Sequence, residues 1–243
     1  MNQCKNCQNQ FEGSFCNLCG QKIYTDPFQV KEFITSDLKN EIIGFDHGLI
    51  YTLKKIVTQP GHSLYNYIKG NRVLFLQPLA YMLTTLGLSE LLQSYMDLSI
   101  YEKIDKDVPK NIFGKISDFL VNDPKWLLLL LIPLFSYTTS KIFKSAKLNF
   151  GDHFLIHCYS ISTINFVMTV FLLPLIFIES VSYYKLSASI SIGFFVFSYF
   201  IFLYQFFRNY NVQSIAKSLI ASVINIGVML TLFILLALLE QIG

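Results

Sequence analysis

Four cysteines, Cys4, Cys7, Cys16 and Cys19, form a C-x2-C-x8-C-x2-C array near the start of the chain. Each C-x2-C turn directs two thiolates at one point, and two such turns complete the closed tetrahedral cage of a structural zinc site. A closed cage leaves no coordination position for water, so the chemistry expected here is metal-driven folding, not catalysis. The surrounding residues, 1–24, offer Phe11, Phe15, Leu18 and Ile23 as sizeable core candidates. A unit that small cannot fold on apolar burial alone, whereas zinc binding supplies about 10–16 kcal/mol to finger peptides. Gly20, directly after Cys19, suits the tight turn that closes a second knuckle. Unligated cysteines and a redox role for the quartet are the alternatives.

A second group of polar residues lies further along. His153 and His157 are four residues apart, on one face of a helix, with Asp152 just before them. That spacing can hold a metal, while Asp152 also suits the N-cap of the helix it precedes. His47 and His62 would complete a cluster if they lie on the same side; otherwise the histidines are structural hydrogen-bonding groups. Glu90 sits in a long apolar run, where a charged side chain at helix centre costs about 2.5–3.5 kcal/mol on insertion scales. Ordinary interfacial placement or pairing competes there with a proton- or cation-handling role. Ser162, Asn165 and Thr169 share one helical face, as do Ser222 and Asn225, either as glue between helices or as the lining of a polar path. Cys158 reads as a small buried apolar residue. No G-x-S-x-G elbow, Walker loop, H-E-x-x-H or dinucleotide fingerprint occurs, so the expectation leans away from an enzyme.

The elements that must position these residues are mostly apolar. Hydrophobic residues make up 53% of the chain and charged residues 14%, with mean hydropathy +0.46, which exceeds what a soluble domain carries. The net charge of +3 provides no basic surface for nucleic acid. Residues 25–72 read as amphipathic helices lying on the inner membrane surface or packed on the bundle, ordinary soluble packing being the alternative: one over 25–43 behind Thr25-Asp26-Pro27, one capped by Asp46 and ended by Pro60-Gly61, and a short one from Ser63 closed by Gly70. Five runs then have the length to cross a hydrocarbon core, which takes about 20 helical residues. They fall near Val73–Tyr95, Trp126–Phe143, Phe154–Phe177, Ile190–Phe207 and Ser218–Leu239. Between the first two, residues 109–122 read as an interfacial helix.

Basic residues set the orientation. Lys54, Lys55, Lys69 and Arg72 precede the first run, Lys141, Lys144 and Lys147 follow the second, and Arg208 and Lys217 flank the link between the fourth and fifth. All would be cytoplasmic, with the N-terminus inside and the C-terminus outside. The connection carrying Lys103, Lys106, Lys110, Lys115 and Lys125 runs against this rule. The opening Met-Asn-Gln-Cys has no basic segment leading into an apolar run, so no signal peptide is expected. A cytosolic, reducing setting favours zinc over disulfides for the quartet.

The cysteine array, Thr52-Leu53-Lys54 with Gln59-Pro60-Gly61, Tyr67-Ile68-Lys69-Gly70-Asn71-Arg72, Pro78, and Phe150-Gly151-Asp152-His153 with His157 together resemble the bacterial domain of unknown function 3667 family. The resemblance covers most of the chain. It implies a zinc-ribbon-bearing integral protein of the bacterial inner membrane and implies no activity. The fold expected is therefore an all-α multi-span membrane bundle of about five transmembrane helices (73–243), with a small N-terminal zinc ribbon (1–24) and amphipathic juxtamembrane helices (25–72). The leading functional expectation is a non-enzymatic adaptor or scaffold, docking a cytosolic protein or anionic lipid from the bilayer, alone or as a homo-oligomer. The alternatives are a small transporter or channel using Glu90, Asn165 and Asn225, and a membrane metalloenzyme built on His153 and His157.

Overall fold

The computed structural model of the 243-residue chain describes residues 1–22, 45–104, 124–174, 181–212 and 215–239. The helices expected over 25–43 and 109–122 lie outside the described residues.

The ribbon is two copies of one turn. In the first, the Cys4 amide donates to the Asn9 carbonyl and the Gln8 amide to the Cys4 carbonyl, at 2.8 and 2.9 Å. In the second, Cys16 donates to Gln21 and Gly20 to Cys16, both at 2.8 Å. Gln8 (φ 62°) and Gly20 (φ 73°) occupy the same left-handed position, which costs glycine nothing. The strand β1 (Asn2–Gln3) pairs antiparallel with β2 (Gln10–Phe11), and Phe15 bridges to Lys22. Two of the expected core residues are not in a core: Phe15 is 60% and Leu18 71% exposed. The interior of so small a unit is taken up by sulfur, and Cys4, Cys16 and Phe11 fill it.

Helices α1 (Phe45–Thr58) and α2 (Pro60–Lys69) follow. The helix α1 ends just before Pro60-Gly61, as expected, but Pro60 also begins α2, ahead of the start expected at Ser63. Proline lacks the N–H that a helix interior needs, yet loses nothing at the first helical position. Ser63 therefore lies inside α2, and its hydroxyl donates to the Lys55 carbonyl at 2.9 Å, tying the two helices at an angle. Gly70, at φ 114°, closes α2 as expected, and the Asn71 amide returns to the Asn66 carbonyl. The helix expected from Val73 begins instead at Pro78, because Arg72–Gln77 is held as a turn: the Leu76 amide donates to the Thr52 hydroxyl at 2.8 Å.

All five apolar runs are helical: α3 (Pro78–Ile104), α4 (Pro124–Ile142), α5 (Phe150–Leu172), α6 (Val181–Arg208) and α7 (Ile215–Leu239). Seven helices thus make up the described fold beside the cysteine cluster. The central helix is α5, which packs on α3, α4 and α6, with α7 against α4 and α6. Among the described residues two stretches are both long and apolar enough to cross a membrane, Phe150–Leu172 and Ile215–Leu232; Gly193–Arg208 is apolar but shorter. The first is 61% buried, as any core helix would be, whereas the second is only 22% buried and faces outward with Leu219, Val223 and Leu230. Leu91 on α3, Leu134 on α4, Phe171 on α5 and Phe197 on α6 are exposed too.

One end of the bundle gathers Lys54, Lys55, Lys69, Arg72, Lys141, Lys144, Lys147 and Arg208. There α2 packs on α6, with Tyr65 against Tyr210 (centroids 5.1 Å) and Phe143 stacked on Phe207 (3.5 Å). The close of α4, the start of α5, the end of α6 and the start of α7 therefore share that end with α2 and the ribbon.

Candidate functional site

The four Sγ atoms of Cys4, Cys7, Cys16 and Cys19 lie within 4.8 Å of one another, with Cys4–Cys19 at 3.5 Å and Cys7–Cys16 at 3.6 Å. A tetrahedral cage with Zn–S bonds of about 2.3 Å sets its sulfurs about 3.8 Å apart, so the quartet fits such an ion without rearrangement. No disulfide joins them. The surroundings favour thiolates on one knuckle: the Gln21 amide lowers Cys19, and Cys16, though burial pushes it up, is brought down to about 6 by the amides of Cys19 and Leu18. A backbone hydrogen bond from Asn9 pulls Cys7 down, but burial and the crowding of the other three thiols outweigh it and raise the thiol to about 12. Four thiolates share this space only with a cation among them, so the quartet could hold a metal ion and is compatible with zinc.

The ribbon is not loose. The buried Gln21 side chain donates from Nε2 to the Gly70 carbonyl and accepts the Arg72 amide at Oε1 (3.4 Å). Its own carbonyl receives the Cys16 amide, so one residue belongs to the knuckle and to the turn after α2 at once. Lys5 lies over Gly70, where a Cβ would come within 2.6 Å of Lys5 Cδ. From this turn contacts run inward. Arg72 sits over the Tyr67 ring (5.1 Å) and donates to the Tyr67 carbonyl (3.1 Å); Tyr67 meets Tyr159 edge-on (5.5 Å), and Tyr159 donates to the Leu76 carbonyl (2.6 Å).

His153 and His157 do come together, around a hydroxyl that carried no signal in the sequence. The helix α5 starts earlier than expected, because Asn149 is its N-cap. Asp152 stands at the third position, completing a reciprocal box: Asp152 N to Asn149 Oδ1 at 2.8 Å and Asn149 N to Asp152 Oδ2 at 3.1 Å. One and two turns on, His153 Nδ1 and His157 Nε2 each lie 3.0 Å from Thr139 Oγ1. Thr139 donates its own proton to the Phe135 carbonyl (2.9 Å), so both ring nitrogens donate to it. His157 Nδ1 is then an acceptor and takes the Tyr199 hydroxyl proton at 3.1 Å; Asn225 Nδ2 donates to Tyr199 at 2.6 Å, and Thr138 donates to Asn225 Oδ1. Each step fits neutral imidazoles, in tautomers fixed by the network itself. The chain joins α4, α5, α6 and α7 deep in the bundle.

The other candidates are scattered. Glu90 is exposed on α3; His62 is exposed on α2; the His47 side chain and the capping role of Asp46 lie outside the described side chains. Asn165 has a buried Oδ1 without a hydrogen bond, while its neighbour Thr169 accepts from Gln93 at 3.2 Å. Cys158 is buried. Among the described residues, the cysteine quartet is the group of His, Cys, Asp or Glu side chains placed to share an ion. Gln21, Thr139 and Tyr199 are the positions that the sequence did not mark. The repeated knuckle could have drawn attention to Gln21, which follows Gly20, whereas Thr139 and Tyr199 matter only through contacts made by distant helices.

Residues 46–89, spanning α1, α2 and the first part of α3, match a family described as protein of unknown function (DUF3667). No curated protein and no solved structure matches the chain.

Proposed function

We propose that the protein is a membrane-embedded adaptor with a zinc-held docking head, belonging to the family matched at residues 46–89, whose description assigns no activity. The observation that carries this reading is the Gln21 clasp. It fixes the ribbon to the bundle while Phe15 and Leu18 point away from both. Two large apolar side chains exposed on a rigid, metal-built tip suit the anchor positions of a protein interface. Five helices span the bilayer in this reading, with their outward apolar side chains against lipid, since a surface such as that of α7 is costly in water. In this reading that end faces the cytoplasm of a bacterial inner membrane, and the basic residues beside the ribbon support it.

Transport and metalloenzyme chemistry draw less support from the same residues. Asn225 is taken up by Tyr199 and Thr138, Glu90 lies at the surface of another helix, and both histidines are committed to Thr139. The test is quantitative crosslinking of the full chain in its membrane. Partners captured by the wild type are expected to be lost from Cys4→Ser/Cys7→Ser and from Phe15→Asp/Leu18→Asp. Retrieval of the same partners in the same yield from both variants would rule out docking through the ribbon.

A further inference from the structure

The ribbon does more than cover the turn after α2: it completes a polar cleft. Asn6 from the first knuckle closes a space of about 180 Å³ against Lys55, Gln59, His62, Asn66 and Asn71. Asn71 also lines a second hollow, with Lys5 and Lys69 on either side. Among the described residues no acidic side chain lines either space: Lys55, His62 and a set of amide groups face the cleft and Lys5 the second hollow, whereas Lys69 sits over the Tyr65 and Tyr210 rings and feels Asp152. Amides and cations converging in this way match an anion with several oxygen acceptors. The volume falls below the roughly 300–1,000 Å³ of sites that enclose a drug-sized molecule, so the cleft takes a head group and not a whole amphiphile.

What lies at the rim identifies the rest of the ligand. Leu74 lines the cleft and is 56% exposed, Val73 beside it is exposed, and the outer face of α1 exposes Ile50 and Val57 with Lys54 between them. A helix face of apolar residues interrupted by lysine is the pattern of an element lying at a bilayer surface, its cations toward anionic head groups. A polar hollow opening beside exposed apolar residues offers an acyl chain a place to leave.

The geometry points to a binding site for one anionic phospholipid, with its phosphate head group between Lys55, His62 and the amides of Asn6, Asn66 and Asn71, and its chains over Leu74. This rests on the membrane-embedded reading above. Since Asn6 is a ribbon residue, the site exists only while the ribbon is clasped, so lipid occupancy and the metal-built head support each other.

The test uses the full chain in neutral detergent, titrated with short-chain phosphatidylglycerol below its micellar concentration, short-chain phosphatidylcholine, and glycerol phosphate. Saturable binding of the first is expected, with affinity lower by about tenfold or more for Lys55→Glu. His62→Ala, an exposed position, should weaken it too, while Lys144→Glu, basic and exposed at the same end of the bundle, should leave it unchanged. Far-UV circular dichroism establishes that each variant is folded. Equal binding of phosphatidylcholine, equal binding of glycerol phosphate, an equal loss in Lys144→Glu, or no loss in either cleft variant would each overturn the assignment. Recovery of the chain from the soluble fraction of cells would instead sink the membrane reading itself.

Discussion

Gly61 sits where α2 meets α6 backbone to backbone, and Gly61→Ala should destabilise the protein although alanine is the better helix former. An added Cβ would stand 2.7 Å from Gln205 Cβ and nearer still to the Gln205 carbonyl. The closest ordinary contact is 3.4 Å, so α2 must retreat by about 1 Å from the Gln205 carbonyl group, a neighbour that is main chain and cannot swing aside. Overpacking of this kind costs about 1–3 kcal/mol, and the rigid neighbour puts this case near the upper end. The helix propensity of alanine returns up to about 1 kcal/mol, less at the first turn where Gly61 lies. The net loss of about 2 kcal/mol lowers the apparent Tm by about 4–8 °C in a chain of this length. Thermal unfolding of the detergent-purified protein, followed by far-UV circular dichroism, measures it. Gly87→Ala in α3 is the control. Nothing lies within 4 Å of that Cβ, so only the propensity gain remains and the Tm should hold or rise. A Gly61→Ala protein as stable as wild type would refute the close packing of α2 on α6.

Other consequences follow from the ribbon and the buried chain. Tyr199→Phe leaves His157 Nδ1 and an Asn225 N–H without their partner, at a cost of about 1–3 kcal/mol; an unchanged denaturation midpoint would show that the network is not formed. Gln21→Ala should speed amide hydrogen exchange at residues 70–72 while leaving zinc content untouched, since it cuts the clasp and spares the cage. Acid should release the metal. Protons compete with the ion for the four thiolates, so metal affinity falls as pH falls. A chelating dye reads the release, and a zinc content that does not depend on pH down to full acid unfolding would contradict thiolate ligation.

Much of this architecture was legible in the sequence because it is written in local chemistry. The cysteine spacing requires two equivalent turns, and the two knuckles repeat one another down to their hydrogen bonds. The five apolar runs are all helical. Local signals with two readings gave the errors. Pro60-Gly61 stops one helix and also starts the next, three residues before Ser63, because proline is at home in the first helical position. Asp152 suits an N-cap as well as the third position of a capping box, and Asn149 decides that. Phe15 and Leu18 were taken for core because large apolar residues usually are, but a unit whose interior is sulfur has no room for them. Within the candidate site the histidine pair was visible from its spacing. Its organising hydroxyl, Thr139, was not, because a threonine in an apolar helix carries no pattern of its own until another helix brings two imidazoles to it.

Metal binding by the cysteine quartet is the central proposal, since the clasp, the exposed tip and the proposed lipid cleft all depend on a folded ribbon. Elemental analysis of the protein extracted from its membrane, normalised to chain concentration, tests it most directly. One zinc ion per chain in the wild type and none in Cys4→Ser/Cys7→Ser is the result expected. A wild-type protein without zinc, or a variant that keeps its zinc after losing both thiols, would contradict it.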